Sequence, residues 1–138
     1  MSAEKEILEI NHVVAIVGLS SNPERPSYRV GSYLKEHGYK IIPVNPNEKT
    51  ILQETSYPDL TSIPEPVDVV DIFRRSEDVG PIVEEAIKIK AKVVWMQEGV
   101  VNKDAAQRAR KAGLKVVMDR CMLKEHTKIS RDKSHKSG

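Results

Sequence analysis

The sequence predicts an α/β fold, a doubly wound parallel sheet of about five strands with helices on both faces. Three observations lead to this prediction. Five short apolar runs, rich in valine and isoleucine, have the length and composition of buried strands. Segments with helical spacing of apolar residues separate most of these runs, and glycine, proline or asparagine marks most junctions. Strands that alternate with helices are joined by right-handed crossovers, so we expect the sheet to be parallel.

The size of the chain indicates one domain. Its 138 residues should bury roughly two-thirds of the surface of the unfolded chain, and we place the domain at residues 1–127. Residues 128–138 are polar and positively charged without an apolar period, which predicts a disordered basic tail.

Charge and cysteine content exclude several classes of protein. The 22 lysines and arginines offset 20 acidic residues, so no general nucleic-acid-binding surface is expected. No apolar stretch reaches the roughly 18 residues that a membrane span requires, and a single cysteine allows no internal disulfide. We therefore expect a cytoplasmic protein that binds neither membranes nor nucleic acid.

The first half of the chain contains two predicted helices and two predicted strands. They are a helix over 2–10, a strand over 13–17, a helix over 27–37 and a strand over 40–44. Ser2 is the expected cap of the first helix, and Ile10 is expected to pack inward. Gly38 ends the second helix. Pro43 predicts that the second strand is an edge strand or that Pro43 lies close to the end of that strand.

The second half of the chain continues the alternation. It contains an ordered connection over 48–66, a strand over 67–73, a helix from 76, a strand over 93–96, a helix ending at 111 and a strand over 114–118. Tyr57, Leu60 and Ile63 have the spacing to dock on the sheet through one short helical turn. Ser76 and Asn102 are the expected caps of the two helices.

The loops after the strands predict a site for an anionic ligand. In such sheets ligands bind over the carboxyl ends of the strands, where the strand order reverses. Arginine suits phosphate because its paired donors lie in a fixed plane, and the loop after Gly18 leads into the positive end of a helix. The polar candidates in these loops are Ser20, Ser21, Asn22, Arg25, Asn45, Asn47, Lys49, Arg74 and Arg75.

The first loop departs from the motif of dinucleotide-binding proteins. Gly18 occupies its first glycine position, but Ser20 and Pro23 stand where the second and third glycines belong. The second strand ends in Asn45 instead of the acidic residue that holds the ribose of NAD. The G-x-x-x-x-G-K-[ST] pattern of nucleoside triphosphate sites does not occur. An NAD(P)-binding redox enzyme or regulator on the same fold is therefore the alternative and not the leading hypothesis.

Four short motifs occur in order over about residues 11–126. They are Val17-Gly18-Leu19-Ser20 with Arg25 and Ser27-Tyr28, then Pro43-Val44-Asn45-Pro46, then Trp95-Met96-Gln97-Glu98-Gly99, and Ala112-Gly113-Leu114 leading to Met118-Asp119-Arg120-Cys121. Together they resemble the motifs of the small stand-alone CoA-binding proteins. The CoA-binding N-terminal domain of the succinyl-CoA synthetase alpha subunit is a more distant likeness.

This resemblance implies a Rossmann-like fold that binds coenzyme A. It implies that residues 18–22 with Arg25 hold phosphate groups and that residues 45–49 lie near the adenosine and its ribose phosphate. It also implies that Met96, Gln97 and Glu98 border the pantetheine arm. Arg74 and Arg75 join the predicted site because of their chemistry alone.

The expected function is non-catalytic binding of coenzyme A or an acyl-CoA, as a sensor, a carrier or a subunit of a larger assembly. The synthetase has a further domain with a phosphorylated histidine, which this chain does not match, so its ligase chemistry does not carry over. The four histidines show no Ser/His/Asp or metal-ligand spacing. A homo-oligomer or an enzyme partner fits this expectation, and an interaction module with a vestigial pocket is a third hypothesis.

Cys121 follows the last predicted strand on the ligand side and allows two interpretations. It is either a small buried apolar residue or a thiol near the ligand. In the second case Arg120 would favour the thiolate, which could form a mixed disulfide with coenzyme A.

Overall fold

Five parallel strands form the central sheet, and this confirms the predicted α/β class. The computed structural model describes residues 3–137, with side chains described through residue 131. The strands are β1 (Val13–Val17), β2 (Lys40–Val44), β5 (Val69–Ile72), β6 (Val93–Met96) and β7 (Lys115–Val117), with a separate hairpin of β3 (Thr50–Ile51) and β4 (Glu54–Thr55). The sheet order is β2-β1-β5-β6-β7, so the chain leaves β1 in one direction and resumes in the other with β5.

Five α-helices cover the two faces of this sheet. They are α1 (Ala3–Ile10), α2 (Pro26–Glu36), α3 (Val79–Lys88), α4 (Lys103–Lys111) and α5 (Met122–Ser137). The buried side chains of α1, α2 and α5 form one apolar cluster with one face of the sheet. Those of α3 and α4 form a second cluster on the opposite face. None of the helices within residues 3–137 is long and apolar enough to cross a membrane.

The strands are apolar in succession because both faces of the sheet are covered. Val14 and Ile16 of β1 belong to the cluster beneath α1, α2 and α5, whereas Ala15 and Val17 belong to the opposite cluster. Parallel sheets of this kind lack the alternation of polar and apolar residues that marks a half-exposed strand. The valine-rich runs therefore predict the strands well.

Some predicted details at the ends of elements differ from the structure. Ile10 is 63% exposed, because α1 ends there and only Ile7 and Leu8 face the core. The predicted capping residue Ser2 lies outside the described residues. Ser76 does not cap an α-helix: a 3₁₀ turn begins at Ser76, and its Oγ accepts a hydrogen bond from the amide of Val101 instead.

The connection between β2 and β5 contains the predicted helical turn and a hairpin that was not predicted. The 3₁₀ turn Leu60–Ser62 buries Leu60 in the core, as its spacing indicates. The hairpin turns at Leu52 and Gln53, both with positive φ. Its tip is held on α2, where Lys35 contacts Glu54 at 2.9 Å.

The segment 128–138, which the sequence predicts as a disordered basic tail, is helical through Ser137 in the structure. Helix α5 continues to Ser137, and Ile129 is buried beside α1 and α2. Met122 and Ile129 are seven residues apart, two helical turns, and so share one helix face. Only Gly138 of this segment lies outside the described residues.

Candidate binding site

A cavity of about 860 Å³ opens over the carboxyl ends of the strands, at the point where the strand order reverses. Helix α2 carries the chain from β1 to β2, while α3 and α4 continue beyond β5 on the opposite face, so the loops after β1 and β5 separate here. This is where doubly wound sheets bind ligands. The lining residues are Gly18, Ser20, Ser21, Arg25, Pro26, Ser27, Asn45, Asn47, Glu48, Phe73, Arg74, Arg75, Asp78, Gln97, Glu98 and Val100.

Gly18 allows the loops after β1 and β5 to lie against each other. Its φ is +86°, and a Cβ atom at this position would lie 2.3 Å from the carbonyl oxygen of Phe73. A side chain would therefore force the two loops apart and change the floor of the cavity. The amide of Gly18 also donates to the carbonyl of Val44 at 3.0 Å, which joins the loop to β2.

Two serine hydroxyls, one in the loop after β1 and one in the first turn of α2, hold this loop by hydrogen bonds. The hydroxyl of Ser27 accepts a hydrogen bond from the amide of Ser20 at 2.9 Å, and Ser20 Oγ accepts from the amide of Asn22 at 3.0 Å. Helix α2 begins at Pro26, and the residue before it, Arg25, makes no side-chain capping hydrogen bond. The positive end of the helix dipole thus lies at the cavity and favours an anion there.

Asn45 fastens the loop after β2 to the loop after β1. Its Nδ2 donates to the carbonyl of Leu19 at 3.0 Å, and its Oδ1 accepts from the amide of Asn47 at 2.9 Å. Glu48 then accepts from the hydroxyl of Ser21 at 2.9 Å. Asn45 is therefore a residue that shapes the site as well as one that lines it.

The three arginines of the cavity differ in how they are paired. Arg75 Nε lies 3.1 Å from Asp78 Oδ2 and 3.6 Å from Glu77 Oε1. The guanidinium groups of Arg25 and Arg74 have no hydrogen-bond or ion-pair partner in the part of the chain whose side chains are described. Arg25 and Arg74 are thus the cationic groups of this cavity that remain available to a ligand.

The loop after β6 contributes one buried amide and one exposed carboxylate. Gln97 lines the cavity although its side chain is only 3% exposed, and its Nε2 donates to Oδ1 of the buried Asp71. Burial raises the pKa of Asp71 to about 8, and the hydrogen bond from Gln97 opposes this shift only in part. Glu98 is paired with Lys124, whose Nζ lies 2.9 Å from both carboxylate oxygens.

The structure brings most of the predicted site residues to this cavity. Asn22, Lys49, Met96 and Cys121 are not among its described lining residues. Met96 is fully buried in the apolar cluster beneath α3 and α4. Its side chain points to the face of β6 opposite to that of Trp95, because side chains alternate along a strand. Asn22 and Lys49 are exposed on the same two loops, where their side chains do not line the cavity.

Cys121 packs against the apolar cluster beneath α2 and α5, together with Tyr28 and Phe73, and is half-buried. This agrees with the interpretation of Cys121 as a small apolar residue. Across the described residues, no group of three or more histidine, cysteine or acidic side chains is arranged to hold a metal ion.

Sequence reasoning missed several lining residues. Ser27 lies in the first turn of α2 and Glu48 in the loop after β2. Asp78 ends the 3₁₀ turn after β5, and Val100 lies in the loop after β6. Phosphate is bound by donors, so the carboxylates of Glu48 and Asp78 were not predicted as lining residues. Both Ser27 and Glu48 are polar residues that closely follow a predicted strand, and this signal would have found them.

The fold defines a Rossmann-like domain, and a polar cavity opens at its topological switch point. The CoA binding domain family model matches residues 12–127, and the chain belongs to this family.

Two relatives show how the domain occurs elsewhere. The chain is 40% identical over 122 residues to the uncharacterized protein YneT of Bacillus subtilis (strain 168). The aligned region covers 88% of this chain and 90% of that protein. It is 30% identical over 115 residues to acetate–CoA ligase [ADP-forming] II of Archaeoglobus fulgidus. That match covers 75% of this chain and only 17% of the ligase, so the same domain is also found inside a larger enzyme.

A solved structure of a hypothetical protein from Pyrococcus horikoshii OT3 has the same fold. It superimposes with a TM-score of 0.88 at 42% identity and covers 91% of this chain and 88% of that chain. The arrangement of the sheet and helices is therefore shared with an independent relative of similar size.

Proposed function

We propose that the protein binds coenzyme A or an acyl-CoA in the cavity over the switch point, without performing catalysis of its own. The observation that carries this proposal is that two guanidinium groups, those of Arg25 and Arg74, have no partner among the described side chains and line one polar cavity with the amino end of α2. Membership of the CoA binding domain family supports the choice of ligand.

The chemistry of the lining residues fits this ligand. Coenzyme A carries a pyrophosphate and a ribose phosphate, so it needs donors spread over adjacent loops. Arg25, Arg74 and the amino end of α2 would hold phosphate groups, and Asn47 lies where the adenosine end would reach the loop after β2. Gln97 would then meet the pantetheine arm. A cavity of about 860 Å³ lies within the range usual for cofactor sites.

The position of the histidines supports a non-catalytic role. His12, His37 and His126 line a separate pocket between α1, α2 and α5 and do not line the cavity. His135 lies where side chains are not described. A carrier, a sensor or a subunit that supplies bound coenzyme A to a partner enzyme would fit these features, and the match within the acetate–CoA ligase supports the last of these.

Calorimetric titration tests the proposal and its alternatives. Coenzyme A, dephospho-coenzyme A, acetyl-CoA, NADH and NADPH are titrated into the protein under the same conditions. We expect coenzyme A and acetyl-CoA to bind and NADH not to bind, since the loop after β1 lacks two glycines of the dinucleotide motif. Binding of NADH without binding of coenzyme A would contradict the proposal and favour an NAD(P)-binding protein. Binding of none of the five ligands would favour an interaction module with a vestigial pocket.

Replacement of Arg25 tests the phosphate site directly. Arg25→Ala should weaken coenzyme A binding by about tenfold or more, because a charge-assisted hydrogen bond to phosphate is lost. Arg110→Ala is the matched control: Arg110 is exposed on α4 and does not line the cavity. Equal affinities of the two variants, both folded by circular dichroism, would remove Arg25 from the site.

The mixed disulfide of Cys121 stays a prediction. In thiol–disulfide exchange the Cys121 thiolate would attack oxidised coenzyme A, form the protein–coenzyme A disulfide and release one molecule of free coenzyme A thiol. Mass spectrometry of non-reduced protein should then show one adduct that reductant removes and that Cys121→Ser lacks. The half-buried position of Cys121 predicts slow labelling, and no labelling by oxidised coenzyme A would contradict the idea.

A further inference from the structure

Asp71 is a buried carboxyl group in the middle of the sheet. It lies on β5 between Ile16 of β1 and Trp95 of β6, and it has no exposed surface. Its side chain points to the face covered by α1, α2 and α5, because its two register partners belong to that apolar cluster. A carboxyl group in such a place costs free energy unless its oxygens are hydrogen-bonded, and core packing alone does not explain it.

The partner of Asp71 is a residue of the binding cavity. Gln97 Nε2 donates to Asp71 Oδ1, while Asp71 Oδ2 has no hydrogen-bond partner within the described residues. The amide of Gln97 donates to the carbonyl of Ile72, so the backbone of Gln97 is also fixed to β5. Gln97 is two residues beyond Trp95 and therefore points to the same face of the sheet as Asp71.

This contact determines which polar atom Gln97 presents to a ligand. A carboxamide has one oxygen and one nitrogen on the same carbon, and the nitrogen is turned toward Asp71. Gln97 Oε1 accepts no hydrogen bond from the described residues and is not among the buried atoms that lack a partner. Since Gln97 lines the cavity, its Oε1 is the acceptor that faces a ligand.

We propose that Asp71 is a positioning residue: it orients the carboxamide of Gln97 so that Oε1 accepts a hydrogen bond from an amide N–H of the ligand. This inference rests on the proposed binding of coenzyme A, whose pantetheine arm contains two amide groups. The pair selects for ligands with an amide donor at this end of the cavity and against those that have phosphate or a bare hydrocarbon there.

The charge of Asp71 agrees with this role. Burial raises its pKa to about 8, so the carboxyl group is mostly neutral at pH 7. In the neutral form the carbonyl oxygen Oδ1 accepts from Gln97, and no negative charge lies behind a cavity that holds phosphate groups. Asp71 can thus orient the amide without repelling the ligand.

The test compares two ligands and three variants. The ligands are coenzyme A and its adenosine fragment, which keeps the diphosphate and the ribose phosphate but lacks the pantetheine arm. Asp71→Val removes the acceptor, Gln97→Met removes the carboxamide at similar size, and Asp71→Asn retains an acceptor oxygen. We expect Asp71→Val and Gln97→Met to lower the affinity for coenzyme A by about tenfold, because one hydrogen bond and the orientation that it fixes are lost. Binding of the adenosine fragment should be unchanged, and Asp71→Asn should bind coenzyme A within about twofold of the wild type.

The outcomes separate this inference from the proposed function. If the wild type binds coenzyme A and both Gln97→Met and Asp71→Val bind it as tightly as the wild type, the inference fails and the proposed function stands. Equal weakening of both ligands would show a structural role of Asp71 and overturn positioning, as would an Asp71→Asn variant as weak as Asp71→Val. If the wild type binds neither ligand, both proposals fail. Should Asp71→Val not fold, Gln97→Met and Asp71→Asn decide together: wild-type affinity of Gln97→Met for coenzyme A, or an Asp71→Asn variant as weak as Gln97→Met, would overturn the inference.

Discussion

At the scale of single residues, Asp71 makes the stability of the fold depend on pH. Its pKa is about 8 in the folded protein against an ordinary value of 3.8. The folded state therefore keeps a proton that the unfolded chain releases as the pH rises above about 4. The stabilisation from this proton is complete below the unfolded pKa and is lost as the pH rises through the folded pKa.

Asp71→Asn should remove this pH dependence, because asparagine does not titrate. Between about pH 4 and pH 8 the free energy of unfolding of the wild type should fall by up to about 1.4 kcal/mol per pH unit from this group. The curve of the variant should be flatter by that amount, so that the two proteins differ most near pH 8. Urea unfolding followed by circular dichroism at several pH values measures both slopes, and parallel curves would show that Asp71 is already ionised in the folded state.

Among the structural elements, α4 shows how one side chain both starts a helix and joins it to the site. Asn102 Oδ1 accepts from the amide of Ala105 at 3.0 Å, which confirms the predicted cap. Its Nδ2 donates to the carbonyl of Ser76 at 2.9 Å, in the turn that follows β5. The helix is thus tied to the segment that carries Arg75 and Asp78 into the cavity.

Asn102→Ala should lower the free energy of unfolding by about 1 kcal/mol, since the first turn of α4 loses its capping acceptor. Asn102→Asp is the control that keeps this acceptor, replaces the donor to Ser76 with a carboxylate oxygen and adds a negative charge at the positive end of α4. We expect its stability to lie between those of the wild type and the alanine variant in thermal or urea unfolding. An aspartate variant as unstable as the alanine variant would assign the effect to the contact with Ser76 instead.

The hairpin of β3 and β4 illustrates what local sequence could not predict. Its turn residues, Leu52 and Gln53, adopt positive φ. An Asn-Gly or Asp-Gly pair would have predicted such a turn, but Leu-Gln does not. Contacts from α2 hold it: Lys35 Nζ donates to the carbonyl of Leu52 and pairs with Glu54. Those partners are far apart in the sequence, so no local pattern contains the information.

At the scale of the whole molecule, the position of the site follows from topology and can be read from the sequence. Alternating strands and helices imply a parallel sheet, and the loops at its carboxyl edge can be named without coordinates. The pairing of individual side chains cannot be named in this way. Arg75 contacts Asp78, whereas Arg74 has no partner among the side chains that the structure describes, and Gln97 turns its nitrogen to Asp71. These pairings depend on distances that only the folded chain defines.

The outer edge of β2 has a consequence for association between copies of the chain. Tyr57 forms a parallel bridge with Val44 there, its amide donating to the carbonyl of Pro43 and its carbonyl accepting from Asn45. Pro43 has no N–H group to offer. At Pro43 and Asn45 the backbone groups that could recruit a further strand are thereby occupied or missing, while the opposite edge strand β7 is only three residues long. Both edges are thus poor templates for strand addition, a geometry that protects the folded protein against aggregation through its sheet.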